Sequence, residues 1–126
     1  MDSVQCFLGT YEGTLAGWEV NTKTNCEPLH TCGIKAHDAA IRACCTLRRA
    51  GHELLLTAAS DGSMRVFDIS SKREVGSLLI DGGATTCVSP CGAEHVLTGH
   101  EDGFIRLWRV NDWSDVLTFR AHRYVV

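Results

Sequence analysis

Cysteine and histidine side chains, which are the ligands that hold structural zinc, come close together at two places in the sequence. Residues 87–100 contain four of them: Cys87, Cys91, His95 and His100. Residues 26–32 contain three: Cys26, His30 and Cys32. Neither group has the tight Cys-x-x-Cys spacing of a zinc knuckle, and Cys87 and His95 fall on separate predicted strands. We therefore predict no metal site and no cofactor.

Serine, histidine and aspartate residues also occur in the combination that nucleophilic hydrolases use. His37 and Asp38 precede Ser60 and Asp61 in the chain. A nucleophilic serine of the strand-turn-helix type needs a following helix, and the sequence after Ser60 has no helical pattern. We therefore predict no catalytic residue, and a small metal- or thiol-dependent enzyme stays as the alternative.

The composition limits the classes of protein that the chain can form. It has 126 residues, 44% hydrophobic and 21% charged, with a formal net charge of −3, which fits one folded domain. The slight acidity argues against nucleic-acid binding through a global basic field, which leaves a local rRNA contact near Arg48, Arg49 and His52. No apolar run reaches the roughly 18–20 residues of a membrane span, and no secretory signal is recognised. We expect a soluble intracellular protein with no membrane partner.

The seven cysteines are predicted to be reduced and unreactive by design. Cys44, Cys45 and Cys87 fall inside predicted strands, where cysteine serves as a small apolar residue. Cys26 and Cys32 fall in a predicted loop, so we expect them to react first with thiol reagents.

Three segments of the chain repeat one pattern. Residues 13–20, 61–69 and 102–110 each have a turn glycine as their first or second residue and continue as a short strand of alternating character. Upstream of the later two, an apolar run ends in Thr57 or Thr98, shortly before an Asp-Gly pair. Asp-Gly between apolar runs is a strong hairpin signal, because the tight turn needs a positive φ. The later two segments are separated by the period of about 40–45 residues that β-propeller repeats have.

Further strands are predicted around these hairpins. Residues 41–47 and 84–89 precede the later two hairpins, and residues 74–80 and 116–120 follow them. Four short antiparallel strands per unit is the composition of a propeller blade. We predict an all-β fold, with about three four-stranded antiparallel blades in an open arc and with a first unit that starts at its second strand. Residues 1–126 would form one partial repeat domain, with units at about 4–35, 36–80 and 81–121 and the start of a fourth at 122–126.

These units resemble WD repeats. Two dipeptides stand where WD repeats have Gly-His and two stand where they have Trp-Asp: Ala36-His37, Ala121-His122, Phe67-Asp68 and Trp108-Arg109. More narrowly, residues 6–20, 98–108 and 113–122 are similar to the N-terminal part of the PAK-interacting WD-repeat family, whose members act early in assembly of the large ribosomal subunit. The resemblance implies a WD40 β-propeller that is truncated relative to a ring of about seven blades.

The resemblance also implies which side chains hold each blade together. In WD blades a histidine, a strand Ser or Thr, a turn aspartate and an indole form one hydrogen-bonded chain. Seven residues are predicted for it: His37, Thr57, Asp61, Phe67, Thr98, Asp102 and Trp108. Phe67 has no N–H, and Asp81 stands where the third unit should have its histidine, so we predict no complete four-member set. Beside the turns, Ser60, His100 and Glu101 are the candidate partner-binding residues of the rim.

The function implied by the resemblance is that of a non-catalytic scaffold in large-subunit assembly and pre-rRNA processing. Its partners would be proteins of the pre-ribosome, and its location the nucleolus and nucleus, or otherwise the cytoplasm. The alternative within the same family is a negative regulator that binds a PAK-type protein kinase. Open blade faces would add self-association through apolar strand positions that we expect to be exposed: Leu15, Trp18, Ile105 and Leu107.

Overall fold

The computed structural model describes residues 3–23, 27, 29–80 and 83–124, and of Cys32 only the backbone. Over these ranges the chain forms strands and no helix, so no described helix is long and apolar enough to cross a membrane. The strands follow one another as β1 (Ser3–Gly9), β2 (Thr14–Asn21), β3 (Leu29–Lys35), β4 (Ile41–Arg49), β5 (His52–Ala59), β6 (Ser63–Asp68), β7 (Arg73–Leu79), β8 (Thr85–Cys91), β9 (His95–His100), β10 (Phe104–Arg109) and β11 (Ser114–Arg120).

The strands make three separate antiparallel sheets. The first sheet is β1-β2-β3, the second β4-β5-β6-β7 and the third β8-β9-β10-β11. Within each sheet, every strand therefore pairs with the next one along the chain, which is the topology that a tight turn between adjacent apolar runs predicts. The predicted all-β architecture of antiparallel repeat sheets is confirmed, and the first sheet has three strands in the described part of the chain.

One glycine turn recurs in all three sheets. Gly13, Gly62 and Gly103 have φ angles of 86°, 87° and 86°, a region that glycine enters without steric cost. Each glycine carbonyl accepts a hydrogen bond of 3.0 to 3.1 Å from the first backbone N–H after the last strand of its own sheet. At Gly103 a side chain would also overlap the carbonyl oxygen of His122. The Asp-Gly signal thus marks a turn that fastens the edge of each sheet.

One buried cluster joins the first sheet to the second. Its members are Leu15, Ala36, Ile41, Leu55 and Phe67. Leu15 is only 1% exposed, so the prediction that it lies on an open face is wrong. Its side chain projects from β2 towards the second sheet, and the contact with that sheet covers it. The other three residues predicted to be exposed, Trp18, Ile105 and Leu107, are half-buried.

Two further clusters join the second sheet to the third. Both combine residues of the two sheets: Leu47, Leu56, Val66, Val96 and Val110 in one, and Ala58, Met64, Ile80 and Trp108 in the other. At the surface, Arg42 Nη1 lies 2.7 Å from Glu101 Oε1 and adds an ion pair between the same two sheets. Such an exposed pair contributes little free energy, so apolar burial holds these sheets together.

Candidate functional site

A buried histidine lies at the centre of a hydrogen-bonded chain in the second sheet. His37, 2% exposed, precedes β4 and reaches across to β5 and β6. Its Nε2 is 2.7 Å from Thr57 Oγ1 and its Nδ1 is 2.9 Å from Ser63 Oγ. Ser63 Oγ in turn donates to Asp61 Oδ1 at 2.6 Å. Asp61 therefore meets the imidazole through Ser63, a residue that the sequence analysis did not single out.

One arrangement of protons satisfies this chain with a neutral imidazole. Asp61 is an acceptor, so the single Ser63 hydroxyl proton goes to it and Ser63 Oγ must accept from His37 Nδ1–H. His37 Nε2 then accepts the hydroxyl proton of Thr57. Asp61 Oδ1 also accepts the backbone N–H of Ser63 at 3.0 Å, which closes the turn between β5 and β6. Phe67, 6% exposed, lies in the apolar cluster and adds no hydrogen bond from its ring.

The third sheet has an equivalent chain built from different sequence positions. Trp108 Nε1 donates to Thr98 Oγ1 at 2.9 Å, and Thr98 Oγ1 lies 2.7 Å from His100 Nε2. His100 Nδ1 is 3.4 Å from Thr85 Oγ1. The Thr98 hydroxyl accepts the indole proton, and we assign its own proton to Nε2, which leaves the proton of a neutral His100 on Nδ1. Both complete sheets thus contain a histidine between two hydroxyl groups.

His100 is therefore a buried structural residue. The prediction that it lies on an exposed rim is wrong, because its exposure is 0% and both ring nitrogens are used inside the sheet. Alternation along β9 was the signal that could have found it, since Thr98 and His100 are two residues apart and share one face. Asp81, which stands where the missing histidine was expected, lies outside the described residues.

Asp102 does not extend the chain in the third sheet. Its Oδ1 accepts the backbone N–H of Phe104 at 3.0 Å, and its Oδ2 lies 3.4 Å from Arg106 Nη2. Asp102 caps its turn as Asp61 does, but the residue after the turn glycine is not a serine. No serine hydroxyl therefore links the Asp102 carboxylate to the imidazole. Asp102 acts on His100 only through its charge.

Burial sets the protonation of both histidines. Loss of hydration lowers the pKa of His37, the positive charge of Arg65 lowers it further, and Asp61 opposes the shift. The pKa of His100 is lowered in the same way, by burial first and by Arg106 second, against Asp102. Both rings are therefore neutral at pH 7, as the hydrogen-bonded chains require.

Acidification is expected to lower the free energy of unfolding over a pH range that depends on the pKa values of these two histidines. A histidine whose pKa is lower in the folded than in the unfolded state contributes stability that is complete above about pH 6.5 and is lost as the pH falls towards the folded value. Urea unfolding at pH 7.5, 6.5, 5.5 and 5.0 should therefore give a free energy that decreases from about pH 6.5 downwards. His100→Gln should flatten this decrease, whereas His122→Gln, at an exposed position, should leave it unchanged. Equal pH slopes for wild type and His100→Gln would contradict the assignment.

Two of the three rim candidates remain at the surface. Ser60 and Glu101 are exposed at equivalent turns, one after β5 and the other after β9. Each is fixed by its backbone, since Ser60 N–H donates to Ala40 O at 2.8 Å and Glu101 N–H donates to Ala84 O at 3.0 Å. The Glu101 carboxylate is already paired with Arg42. The hydroxyl of Ser60 is thus the more accessible polar group of this rim.

The four cysteine and histidine side chains of residues 87–100, which the sequence analysis weighed as zinc ligands, are spread over the third sheet. Cys87 and Cys91 are exposed on β8, His95 is half-buried on β9, and His100 is buried. In the described part of the chain no three His, Cys, Asp or Glu side chains come together as a metal site would need. Of the other group, Cys26 and the side chain of Cys32 lie outside the described residues, and His30 packs edge-on against Trp18 with ring centroids 5.4 Å apart.

Thiol accessibility differs from the prediction at one position. Cys87 is exposed, so the prediction that it is buried is wrong; the register of β8 shifts between the buried Thr85 and Cys87, so Cys87 does not share the buried face of Thr85. Cys44 and Cys45 are half-buried on β4. Burial raises the pKa of Cys44, and burial together with Cys44 raises the pKa of Cys45 to about 11.

Thiol labelling is expected to follow these environments. With a maleimide at pH 7, Cys87 and Cys91 should be modified at least about tenfold faster than Cys44 and Cys45, because only the thiolate reacts and access is open. Peptide mass spectrometry over a time course measures each rate separately. Loss of the difference in urea would show that the fold causes it, and equal rates in the native protein would contradict the burial of Cys44 and Cys45.

The hydrolase-like residues and the basic residues have other partners. No hydrogen bond joins Ser60 to His37 among the described residues, and the imidazole of His37 is bonded to Thr57 and Ser63 instead. His52 Nδ1 lies 3.2 Å from Asp68 Oδ2. Arg49 Nη2 donates to Asn111 Oδ1 at 3.0 Å, which links the second and third sheets. Arg48 is exposed beside them.

Antiparallel four-stranded sheets stacked face to face define a repeat protein of the β-propeller class. The chain belongs to the WD-repeat family, since its residues 26–68 and 77–109 match the family described as WD domain, G-beta repeat. The turns at Ser60 and Glu101 are exposed at one rim of these sheets.

Individual relatives are longer than this chain. A Xenopus laevis protein named p21-activated protein kinase-interacting protein 1-like is 30% identical over 127 residues, which is 97% of this chain and 33% of the relative. The protein MAK11 of Saccharomyces cerevisiae is 27% identical over 104 residues, covering 70% and 24%. The U5 small nuclear ribonucleoprotein 40 kDa protein of Dictyostelium discoideum is 29% identical over 91 residues, covering 71% and 25%. The chain thus spans about a third or less of the length of these relatives.

Proposed function

We propose that this chain belongs to a non-catalytic WD-repeat scaffold that acts in assembly of the large ribosomal subunit and in pre-rRNA processing. The observation that carries the proposal is the hydrogen bonding of the two buried histidines. His37 and His100, the candidate reactive groups, are bonded on both ring nitrogens inside the sheets, which leaves the rims for binding. A relative named as a protein of a small nuclear ribonucleoprotein supports a role with RNA–protein particles.

The partners in this proposal are proteins of the pre-ribosome, which contact the rim at Ser60 and Glu101. A contact with rRNA is local and near Arg48, because the chain as a whole is acidic, with a formal net charge of −3. The corresponding location is the nucleus, and within it the nucleolus. The assignment of the repeats at 4–35, 36–80 and 81–121 belongs to the same proposal.

Regulation of a PAK-type protein kinase is the second candidate. It is favoured by the names of two relatives, from Xenopus laevis and Danio rerio, both p21-activated protein kinase-interacting protein 1-like. In this alternative the same rim would bind a kinase and restrain it.

Affinity purification separates the two functions. The tagged chain is expressed in cells, and its eluate is assayed for precursor large-subunit rRNA by quantitative reverse transcription and for kinases by mass spectrometry. The scaffold proposal expects precursor rRNA and assembly proteins to be enriched over a tag-only control. Enrichment of a PAK-type kinase without precursor rRNA would replace it by the second candidate.

The rim is tested in the same purification with a matched pair of variants. Ser60→Tyr places a bulky side chain on the exposed turn, and Ser89→Tyr places the same side chain on exposed β8. Recovery of the main partner should fall at least about threefold for Ser60→Tyr only, because bulk inside an interface breaks its packing. Glu101→Lys is less informative, since it also breaks the pair with Arg42. Equal recovery for both tyrosine variants would remove Ser60 from the interface.

A further inference from the structure

The first and second sheets enclose a cleft. Its volume is about 550 Å³, and the residues used below line it: Gln5, Phe7, Glu19, Thr46, Glu53 and Ile69. Its apolar side is formed by Phe7 of β1 and Ile69 after β6. The cleft is thus wide enough for a segment of extended chain.

A small apolar well continues the cleft into the molecule. Gln5, Phe7 and Ile69 also line this second space, of about 50 Å³, whose walls include Leu55 and Phe67. The well has room for the end of an aliphatic side chain. Covering these walls by such a side chain would remove apolar surface from water, which is favourable.

The charged groups at the cleft have one sign. Glu19 and Glu53 line it, and in the described part of the chain neither carboxylate is in an ion pair. Arg48 is the cross-strand partner of Glu53 but does not line the cleft. Among the described residues, a ligand that enters here therefore meets two carboxylates and no cation on the walls of the cleft.

The charged groups at the well are already satisfied within the fold. Lys72 Nζ donates to the carbonyl oxygen of Thr31 at 2.8 Å. The carboxylate of Asp68 accepts the Ser70 backbone N–H at 3.0 Å and the Ser70 hydroxyl at 2.8 Å. Asp68 and Lys72 also carry opposite charges that offset each other at the well, so Glu19 and Glu53 decide the net charge that a ligand meets at the cleft.

We infer that this cleft binds an extended, basic peptide segment in which an aliphatic side chain lies between two arginine or lysine residues. The aliphatic side chain enters the well, and the flanking cations lie near Glu19 and Glu53. The carboxylates repel phosphate groups, so the chemistry favours a basic peptide over RNA. The site is on the cleft between two sheets and not on the Ser60 rim, so the inference stands independently of the proposed function.

Short synthetic peptides test the two parts of the recognition. The probe is fluorescein-labelled Gly-Arg-Leu-Arg-Gly, titrated with the full chain by fluorescence anisotropy. Gly-Arg-Gly-Arg-Gly lacks the aliphatic group, and Gly-Glu-Leu-Glu-Gly reverses the charge. Only the first is expected to bind, and it should weaken as salt rises, since exposed charge pairs are screened.

Two double variants separate the cleft from the overall charge. Glu19→Gln with Glu53→Gln removes the cleft carboxylates, and Glu12→Gln with Glu94→Gln removes two exposed carboxylates elsewhere. The cleft variant should weaken binding of the Arg-Leu-Arg peptide about five- to tenfold, which is about the contribution of two exposed ion pairs. The control variant should weaken it less than about twofold. Circular dichroism melting verifies that both variants fold.

Four results would overturn the inference. Equal weakening by both double variants would show that binding of the peptide depends only on the net charge of the chain. Equal affinity for the peptide without leucine would remove the well from the site. Displacement of the peptide by a single-stranded oligouridine would assign the cleft to RNA. If no peptide binds and sedimentation shows a dimer that only the cleft variant dissociates, the cleft is assigned to a second copy of the chain.

Discussion

Replacement of Trp108 by alanine is expected to lower the free energy of unfolding by about 3–5 kcal/mol. Trp108 is 7% exposed and packs between the second and third sheets in the cluster with Ala58, Met64 and Ile80. Its removal opens a cavity in this cluster and takes from Thr98 the indole N–H that its hydroxyl accepts. Urea unfolding followed by circular dichroism measures the change.

Trp108→Phe is the control that separates packing from hydrogen bonding. It keeps an aromatic ring and loses the bond to Thr98, so about 1–2 kcal/mol is expected. The second sheet already has Phe67 at the corresponding position, where the histidine chain ends at Thr57 without an indole. If Trp108→Ala cost no more than Trp108→Phe, the ring would not be part of the contact between the sheets.

Replacement of Leu15 by alanine is expected to cost about 2–4 kcal/mol. Leu15 is 1% exposed, and it is the residue of β2 that enters the cluster shared by the first two sheets. The loss measures how firmly the first sheet is attached to the second, because the clusters that join the second and third sheets do not include this side chain. Urea unfolding followed by circular dichroism again gives the free energy.

Leu8→Ala supplies the matched control on the neighbouring strand. Leu8 lies on β1 and is 56% exposed, so its truncation should cost less than about 0.5 kcal/mol. Equal losses for the two leucines would contradict the packing of the first sheet on the second. A lower denaturant slope for Leu15→Ala would show that the first sheet unfolds by itself.

The hairpins could be predicted because their signals are local. Asp61-Gly62 and Asp102-Gly103 specify a turn with positive φ, and alternating side chains on each side specify the strands that it joins. The WD resemblance added the residues that lie near one another in each sheet, such as His37 with Thr57. These features depend on a few neighbouring residues, so the sequence contains them directly.

The errors concern faces and partners, which depend on distant parts of the chain. Alternation along β2 alone cannot tell whether another sheet covers the face that carries Leu15, and at Cys87 a register shift of β8 interrupts the alternation itself. His100 was expected at the rim because it adjoins a turn, yet Thr98 beside it and Thr85 on β8 provide partners for both ring nitrogens. Ser63 was missed because a serine after Asp-Gly is common in turns and its link to His37 exists only in three dimensions.

The two histidine chains show one physical requirement met in two ways. In the second sheet the imidazole comes from the connection before β4, and in the third it comes from β9 itself. In both cases it accepts a threonine proton at Nε2, and a buried, neutral ring stays satisfied on both sides. A complete chain of donors and acceptors thus matters more than the sequence position of its histidine.

The most direct test of this account is the protonation of the two buried rings in solution. Selective ¹⁵N labelling of histidine with long-range proton–nitrogen NMR distinguishes the two neutral tautomers and the charged form. At pH 7 His37 and His100 should both be neutral with the proton on Nδ1, and on acidification both should become charged only at a lower pH than an unperturbed histidine does. A proton on Nε2 of either ring, or a charged ring at pH 7, would contradict the hydrogen-bonded chains described here.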